Sequence, residues 1–281
     1  QKHRQQREKR NQRQTEIEDK LFARNKQTPT LFLYDVTSSY LEGTENALAD
    51  WGYNRDGKKG KKQIVVGLLT DHEGCPVTVE VFKGNTSDVA TFHSQVAKAK
   101  QRFGCERVTF VGDRGMIKSG QIKDLAAHGF HYITSLTRGQ IETLLKKNVI
   151  AYELFDSSIC EITCDQVRYI LRRNPVRVEE IQKSREEKKC SVERLVLEKN
   201  QYLKTHKKAK ESVAAKHVVA KIKNLSVDNW LSIEIQEREL ILSVDEEALA
   251  EEAKLDGCYV IKTDLQKTTC SASTIHGRYK D

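Results

Sequence analysis

Residues 31–40 read LFLYDVTSSY, a short apolar run with one carboxylate, Asp35, set in its middle. As a strand its side chains alternate, so Leu31, Leu33 and Asp35 share one face while Phe32, Tyr34 and Val36 share the other. Leaving a bare carboxylate among apolar neighbours costs about 2 kcal/mol or more, so Asp35 has to be hydrogen-bonded, neutralised or holding a cation. Taken alone, the stretch leaves two readings open: a satisfied strand aspartate or a ligand.

The strands and helices around it follow from period and punctuation. Glu42 to Lys62 is glycine-rich and charged, a long connection with Lys58, Lys59, Lys61 and Lys62 near its end. Gln63 to Thr70 (QIVVGLLT) is apolar and short enough for a buried strand, and DHEGCP turns it into a partner at Val77 to Phe82. From Thr86 the period lengthens, with Val89, Phe92, Val96, Ala99 and Phe103 forming a helical stripe that Gly104 ends. Asn85 and Asp88 are expected to cap that helix, with nearness to a metal site as the second reading. RVTFVG (107–112) is a further strand, Ile117 to Gly129 a helix, and Tyr132 to Leu136 another strand. The resulting order, β-β-β-α-β-α-β, predicts a meander of three antiparallel strands whose helical crossover lays the fourth strand parallel to the first.

That topology gives Asp35 a companion. Asp113 stands where the fourth strand stops, followed by Arg114, and ligand sites of α/β sheets collect beyond the carboxyl ends of strands. Two carboxylates converging from neighbouring strands suit a hard divalent cation, and phosphodiester chemistry is the natural use of such ions. Walker-type nucleotide hydrolysis is disfavoured, because no G-x-x-x-x-G-K-[ST] loop occurs.

Beyond about Lys146 the composition shifts. Tyr152 to Leu171 alternates like strands, Val176 to Leu203 is a long charged helix, and Ala215 to Ile222 marks another. Leu231 to Ile235 and Leu240 to Val244 alternate again, before GCYVIKT (257–263) returns as a core strand. The expected organisation is a basic arm or linker (1–28), a first part of the core (29–147), an insertion (148–255) and a returning strand with the start of a last helix (256–281). The arm carries Lys2, Arg4, Arg7, Lys9, Arg10 and Arg13 with almost no apolar content, so it reads as a helical or frayed, solvated arm or as a phosphate-contacting one.

The bulk numbers agree with a nucleic-acid partner. Lys plus Arg total 48 against 40 Asp plus Glu, a net +8 that favours polyanions, nucleic acid first and an anionic membrane second. No stretch approaches the roughly 20 apolar residues of a membrane span, and a soluble intracellular protein is expected. Seven scattered cysteines fit reduced thiols, with Cys160 and Cys164 read as structural rather than zinc-binding. A chain that opens on Gln1, has Met116 as its one methionine and stops at Asp281 reads as a fragment.

Five segments carry a family resemblance: YDVTSSY (34–40), GYNRDGKKGKKQIVVGLL (52–69), VFKGNTSD (81–88), VGDRGM (111–116) and DGCYVIKTDL (256–265), with a helix expected from RYKD (278–281). In this order they resemble the DDE transposases of the bacterial IS4 group, nearest its IS1634-like branch. The resemblance implies an α/β, RNase H-like (retroviral integrase-type) core with a mixed, partly β insertion before the last catalytic helix. It implies that Asp35 and Asp113 are the first and second catalytic metal ligands for Mg²⁺ or Mn²⁺, two ions in all. The third ligand would be a Glu in a Tyr-x-x-Arg-x-x-x-Glu signature, of which Tyr279 is the start, so that Glu is not in this chain. The implied partners are transposon-end and target DNA, met by a homodimer in a synaptic complex in the bacterial cytoplasm, at the nucleoid and without a membrane. Phosphate contact falls to Lys58, Lys59, Lys61, Lys62, Arg114, Arg4, Arg7 and Arg10. Two rivals stay open: a catalytically decayed or domesticated DNA-binding protein, and an RNase H-like nuclease outside transposition.

Overall fold

The computed structural model describes residues 2–24, 29–53 and 60–280. In chain order the elements are α1 (Lys2–Ala23), β1 (Leu31–Leu41), β2 (Lys62–Thr70), β3 (Pro76–Lys83), α2 (Asp88–Gln101), β4 (Thr109–Val111), α3 (Ser119–Ala127), β5 (His131–Ser135) and α4 (Arg138–Lys146). Then follow β6 (Cys160–Cys164), β7 (Val167–Arg173), α5 (Pro175–Thr205), α6 (Glu211–Asn224), β8 (Leu231–Gln236), β9 (Glu239–Val244), α7 (Glu246–Ala253), β10 (Cys258–Thr263) and α8 (Ala272–Lys280). The chain divides into two compact units: 1–141 with 161–170 and 260–281, and 142–160 with 171–259.

The large sheet runs in the order β3-β2-β1-β4-β5-β10-β7-β6. Strand β1 pairs antiparallel with β2 and parallel with β4, β4 is parallel to β5, and β10 returns antiparallel to β5. A meander followed by two parallel strands, in the order 3-2-1-4-5 with β2 reversed, is the RNase H-like core that the strand pattern and the resemblance anticipate.

Alternation along β1 drives the packing of the first unit. Phe32, Tyr34 and Val36 are buried against Val65, Leu69 and Val77 of the neighbouring strands and Phe92, Val96 and Ala99 of α2. Phe110 of β4 is the hub, its ring centroid 5.6 Å from Phe32, 5.4 Å from Phe92 in an edge-on contact, and 5.8 Å from Phe130. Such pairs add about 0.5–1.5 kcal/mol each beyond the area they bury. With one face of β1 committed to this core, Asp35 is forced to the other. Gly67 of β2 permits the fit: a Cβ there would lie 2.3 Å from the Tyr34 hydroxyl.

The arm is helical, and its second half packs, contrary to the solvated arm expected for residues 1–28. Glu18 is 2% exposed and meets Thr78, Lys98 and Arg102, while Phe22 stacks on Phe103 at 4.3 Å. The basic residues that suggested solvation precede this anchored stretch. Helix α2 also differs in its cap: Ser87, not Asn85 or Asp88, accepts the Ala90 N–H at 3.3 Å, and Asp88 opens the first turn, where the helix dipole favours a carboxylate.

Hairpin β6–β7 pairs into the large sheet, whereas 148–255 was expected to form one insertion. Its two-residue turn, Asp165 (φ 49°) and Gln166 (φ 64°), has the left-handed geometry that matches strand twist. Buried Arg168 fixes the hairpin, gripping Glu161 at 2.9 and 3.1 Å and donating to the carbonyls of Leu265 (2.8 Å) and Cys270 (2.9 Å).

The second unit has its own core, in which Val192, Val196 and Leu203 of α5 meet Val218 and Ile222 of α6, Trp230, and Leu231 and Leu240 of the β8–β9 hairpin. Asn200 on α5 pairs with both backbone groups of Leu240 at 2.9 Å, so a polar side chain is satisfied inside this core. Arg185 clasps buried Asp256 through two bonds of 2.9 and 2.8 Å. No helix among the described residues is long and apolar enough to cross a membrane.

Candidate active site

Parallel pairing of β1 and β4 sets Leu33 opposite Val111, so Asp35 and Asp113, each two residues further on, stand level at the end of β4. Adjacent strands lie about 4.8 Å apart, which brings the two carboxylates to one place. Both are exposed, and both line a cavity of about 610 Å³ with Leu33, Leu68, Thr70, Tyr279 and Lys280.

Each carboxylate is held by its own backbone. Asp35 Oδ1 accepts the Val36 N–H at 2.8 Å and Asp113 Oδ1 accepts the Arg114 N–H at 2.6 Å. One oxygen of each is thereby oriented. Gly112 precedes Asp113 where a side chain would crowd: a Cβ on Gly112 would meet Ile117 at 3.1 Å. A Cβ on Gly115 would stand 3.6 Å from Asp113 Oδ2 and 3.9 Å from Asp88 Oδ2, so the Asp88 carboxylate is a neighbour of the site.

Helix α8 supplies the remaining wall. The Tyr279 hydroxyl donates to Ser135 Oγ at 2.6 Å, docking the helix on the end of β5, next to the end of β4. Burial holds this phenol above its ordinary range; the Ser135 bond opposes that shift, Asp113 adds to it and Arg114 counters it. Upstream, the two carbonyls held by Arg168 lie on the connection between β10 and α8, so the same arginine that fixes the hairpin also positions the helix.

The donor set is all oxygen, which fits a hard divalent cation. Two carboxylates on neighbouring strands make a partial set: among the described residues no group of three His, Cys, Asp or Glu side chains is arranged to hold a metal ion.

The other sequence candidates disperse. Lys61 forms an ion pair with Glu42, Lys62 opens β2 opposite Leu41, and neither lines the cavity. Lys58 and Lys59 lie outside the described residues, and of Arg4, Arg7 and Arg10 only the helical backbone of α1 is described. Arg114 is exposed beside Asp113. Sequence reasoning gave Asp88 as a neighbour of the site only as its second reading, and missed Ser135 and Lys280. The GNTSD motif was the available signal for Asp88, but helix-cap propensity explained it first.

Solved structures with some likeness include a piggyBac transposase synaptic complex with hairpin DNA, at 10% identity and a TM-score of 0.37, covering 52% of this chain and 31% of that one. A Mos1 transposase paired-end complex with left transposon end shares 14% identity at a TM-score of 0.26, covering 41% of this chain and 38% of that one. The chain therefore spans well under half the length of either protein. No curated protein matches it. The family described as Transposase DDE domain matches residues 26–280, nearly the whole chain from the end of α1 to the end of α8, and to that family the chain belongs.

Proposed function

We infer that the chain is the catalytic domain of a DDE transposase of the bacterial IS4 group, IS1634-like branch, acting on transposon-end and target DNA as a homodimer. The observation that carries this reading is the level pair Asp35 and Asp113 on adjacent parallel strands, facing one cavity with the end of α8. The two carboxylates are metal ligands, for Mg²⁺ or Mn²⁺, with a third acid carried on the continuation of α8 past Tyr279. Two such ions, when bound, stabilise the attacking and departing oxygens of an in-line phosphodiester displacement.

The residues of the chain orient and complete that chemistry. Backbone N–H groups of Val36 and Arg114 fix the carboxylates, so little reorganisation is needed when a ligand arrives. Lys280 and Arg114 offer cationic groups to a scissile phosphate, and Tyr279 keeps α8 seated on β5. In the overall reaction water cleaves the phosphodiester at the transposon end and frees a 3′-OH. That hydroxyl then attacks a target phosphodiester, and a target 3′-OH leaves. Phosphate contact away from the site belongs to the arm (Arg4, Arg7, Arg10) and to Lys58, Lys59, Lys61 and Lys62.

The test uses the chain extended past Asp281, assayed for strand cleavage and joining with paired transposon ends. Loss of either ligand removes several kcal/mol of transition-state stabilisation, so Asp35→Asn and Asp113→Asn should each slow both steps about a hundredfold or more. A variant that cuts and joins at the parent's rate refutes the assignment. The partial ligand set keeps a second reading in view, a decayed DNA-binding protein. It predicts end binding without cleavage in the extended chain itself.

A further inference from the structure

We propose that Trp51 and Tyr53 form a stacking platform for unpaired nucleobases of the DNA strand, a proposal that rests on the DNA substrate inferred above. Both rings are exposed, Trp51 at 58% and Tyr53 at 80%, only two residues apart in the connection from β1 to β2. Exposed aromatics on a slack loop would mean little. These two are mounted on a rigid base.

Three features build that base. Asp50 pairs with Gln63 through both backbone bonds, 3.1 and 3.0 Å, extending the sheet beyond the end of β3. The Gln63 side chain is buried at 2% exposure, and its amide donates to the Tyr53 carbonyl at 3.1 Å and the Gly84 carbonyl at 2.8 Å. Gly52 and Gly84 let the two segments touch: a Cβ on Gly52 would stand 1.8 Å from Gly84 O, and one on Gly84 would stand 2.0 Å from Gln63 O. The backbone between the two rings is therefore fixed by a buried amide and by a crossing that admits no side chain.

The chemistry of the surroundings fits a nucleic-acid strand. Lys62 and Lys83 lie on β2 and β3 beside the platform, and Lys61, paired with Glu42, just precedes β2, within a chain of net charge +8. Stacking on Trp and Tyr tolerates any base, since every base has a π-face, while nearby cations track the backbone. The placement also sets a length. Asp35 pairs with Leu68, and the run from Leu68 to Gln63 at about 3.3 Å per residue is about 16 Å along β2. At 3.4 Å per step, that is about five nucleotides of stacked strand between the carboxylates and the platform.

Binding of a fluorescein-labelled single-stranded 20-mer and of its blunt duplex, measured by anisotropy with the full chain, tests this. Both rings are solvent-exposed, so Trp51→Ala and Tyr53→Ala should leave the circular dichroism unchanged. Each should weaken single-strand binding roughly ten- to hundredfold and duplex binding less than about twofold, with Trp51→Phe retaining most of the affinity. The exposed Trp51 also reports directly, because the other tryptophan, Trp230, is buried at 2% exposure: single-stranded DNA should quench the red-shifted part of the emission. Single-strand affinity unchanged in both alanine variants, or no single-strand binding by the parent, overturns the platform. So does a loss of self-association in those variants without any change in DNA binding, which would make the surface a protein contact. Asp35→Asn and Asp113→Asn, measured in the cleavage assay, separate the two proposals. Their failure to lower cleavage bears on the catalytic reading alone, whereas unchanged single-strand affinity in Trp51→Ala and Tyr53→Ala bears on the platform alone.

Discussion

Replacing Glu18 with Gln should release α1 from the first unit. Its carboxylate is buried, accepts bonds from Thr78, Lys98 (2.9 Å), Arg102 and Gln14 (3.2 Å), and neutralises two cations that are themselves mostly covered. Removing one partner of a buried pair costs about 3–5 kcal/mol when the survivor is left without a counter-charge. Here Lys98 keeps Glu80 at 2.9 Å and Arg102 keeps Asp19 at 2.7 Å, so the cost falls to that of one or two charged hydrogen bonds, about 2 kcal/mol. Hydrogen exchange of the Ile17–Ala23 amides measures the opening of the helix, and 2 kcal/mol corresponds to roughly thirtyfold faster exchange. The effect has a pH signature. Burial alone would raise the Glu18 pKa, but bonds from Thr78, Lys98 and Gln14 and the charge of Lys98 outweigh it, so the folded value lies below the ordinary 4.5. A depressed folded pKa gives stability that is present above the unfolded value and lost as pH falls through the folded one. The gap between parent and variant should therefore be full at pH 7 and shrink progressively below about pH 4.5. A gap under about 0.5 kcal/mol at neutral pH, or one that persists unchanged at pH 3, refutes the account.

Two further substitutions test the packing behind the site. Gly67→Ala drives a methyl group into the Tyr34 hydroxyl at 2.3 Å and should lower stability by about 1–3 kcal/mol in urea unfolding; Tyr34→Phe in the same chain should recover part of that loss, and no recovery would place the strain elsewhere. Arg168→Lys cannot reproduce two bonds to Glu161 together with bonds to the Leu265 and Cys270 carbonyls, so exchange of the Ala272–Lys280 amides should accelerate by the equivalent of about 2–4 kcal/mol, whereas unchanged protection there would show that Arg168 does not hold α8.

Asp35 illustrates how far a one-dimensional pattern reaches. Alternation separated Phe32, Tyr34 and Val36 from the face that carries Asp35, and the folded chain makes the first set the core face, covered by the helical stripe from Phe92 to Ala99. The meander and the crossover then placed Asp113 beside Asp35, because few topologies satisfy short connections and a parallel return. Helix α8 is longer than the RYKD cue suggested, starting at Ala272, because a run such as ASTIHGR has little apolar periodicity and is stabilised by docking instead. Its Ile275 and Tyr279 find partners that no local window contains.

What the sequence determined by itself is whatever depends on neighbours a few positions apart: strand faces, the α2 stripe, and the two aspartates at strand positions that suit a ligand. Tertiary structure alone decided the rest. It seated the arm through Glu18, joined β6 and β7 to the main sheet through Arg168, brought Asp88 to the flank of Asp113, and fastened Trp51 and Tyr53 to a buried glutamine. The physical reason is common to all four. Each depends on a charged, polar or backbone group whose partner lies roughly ten to a hundred residues away, and the strength of such a bond is set by burial that only the folded chain creates.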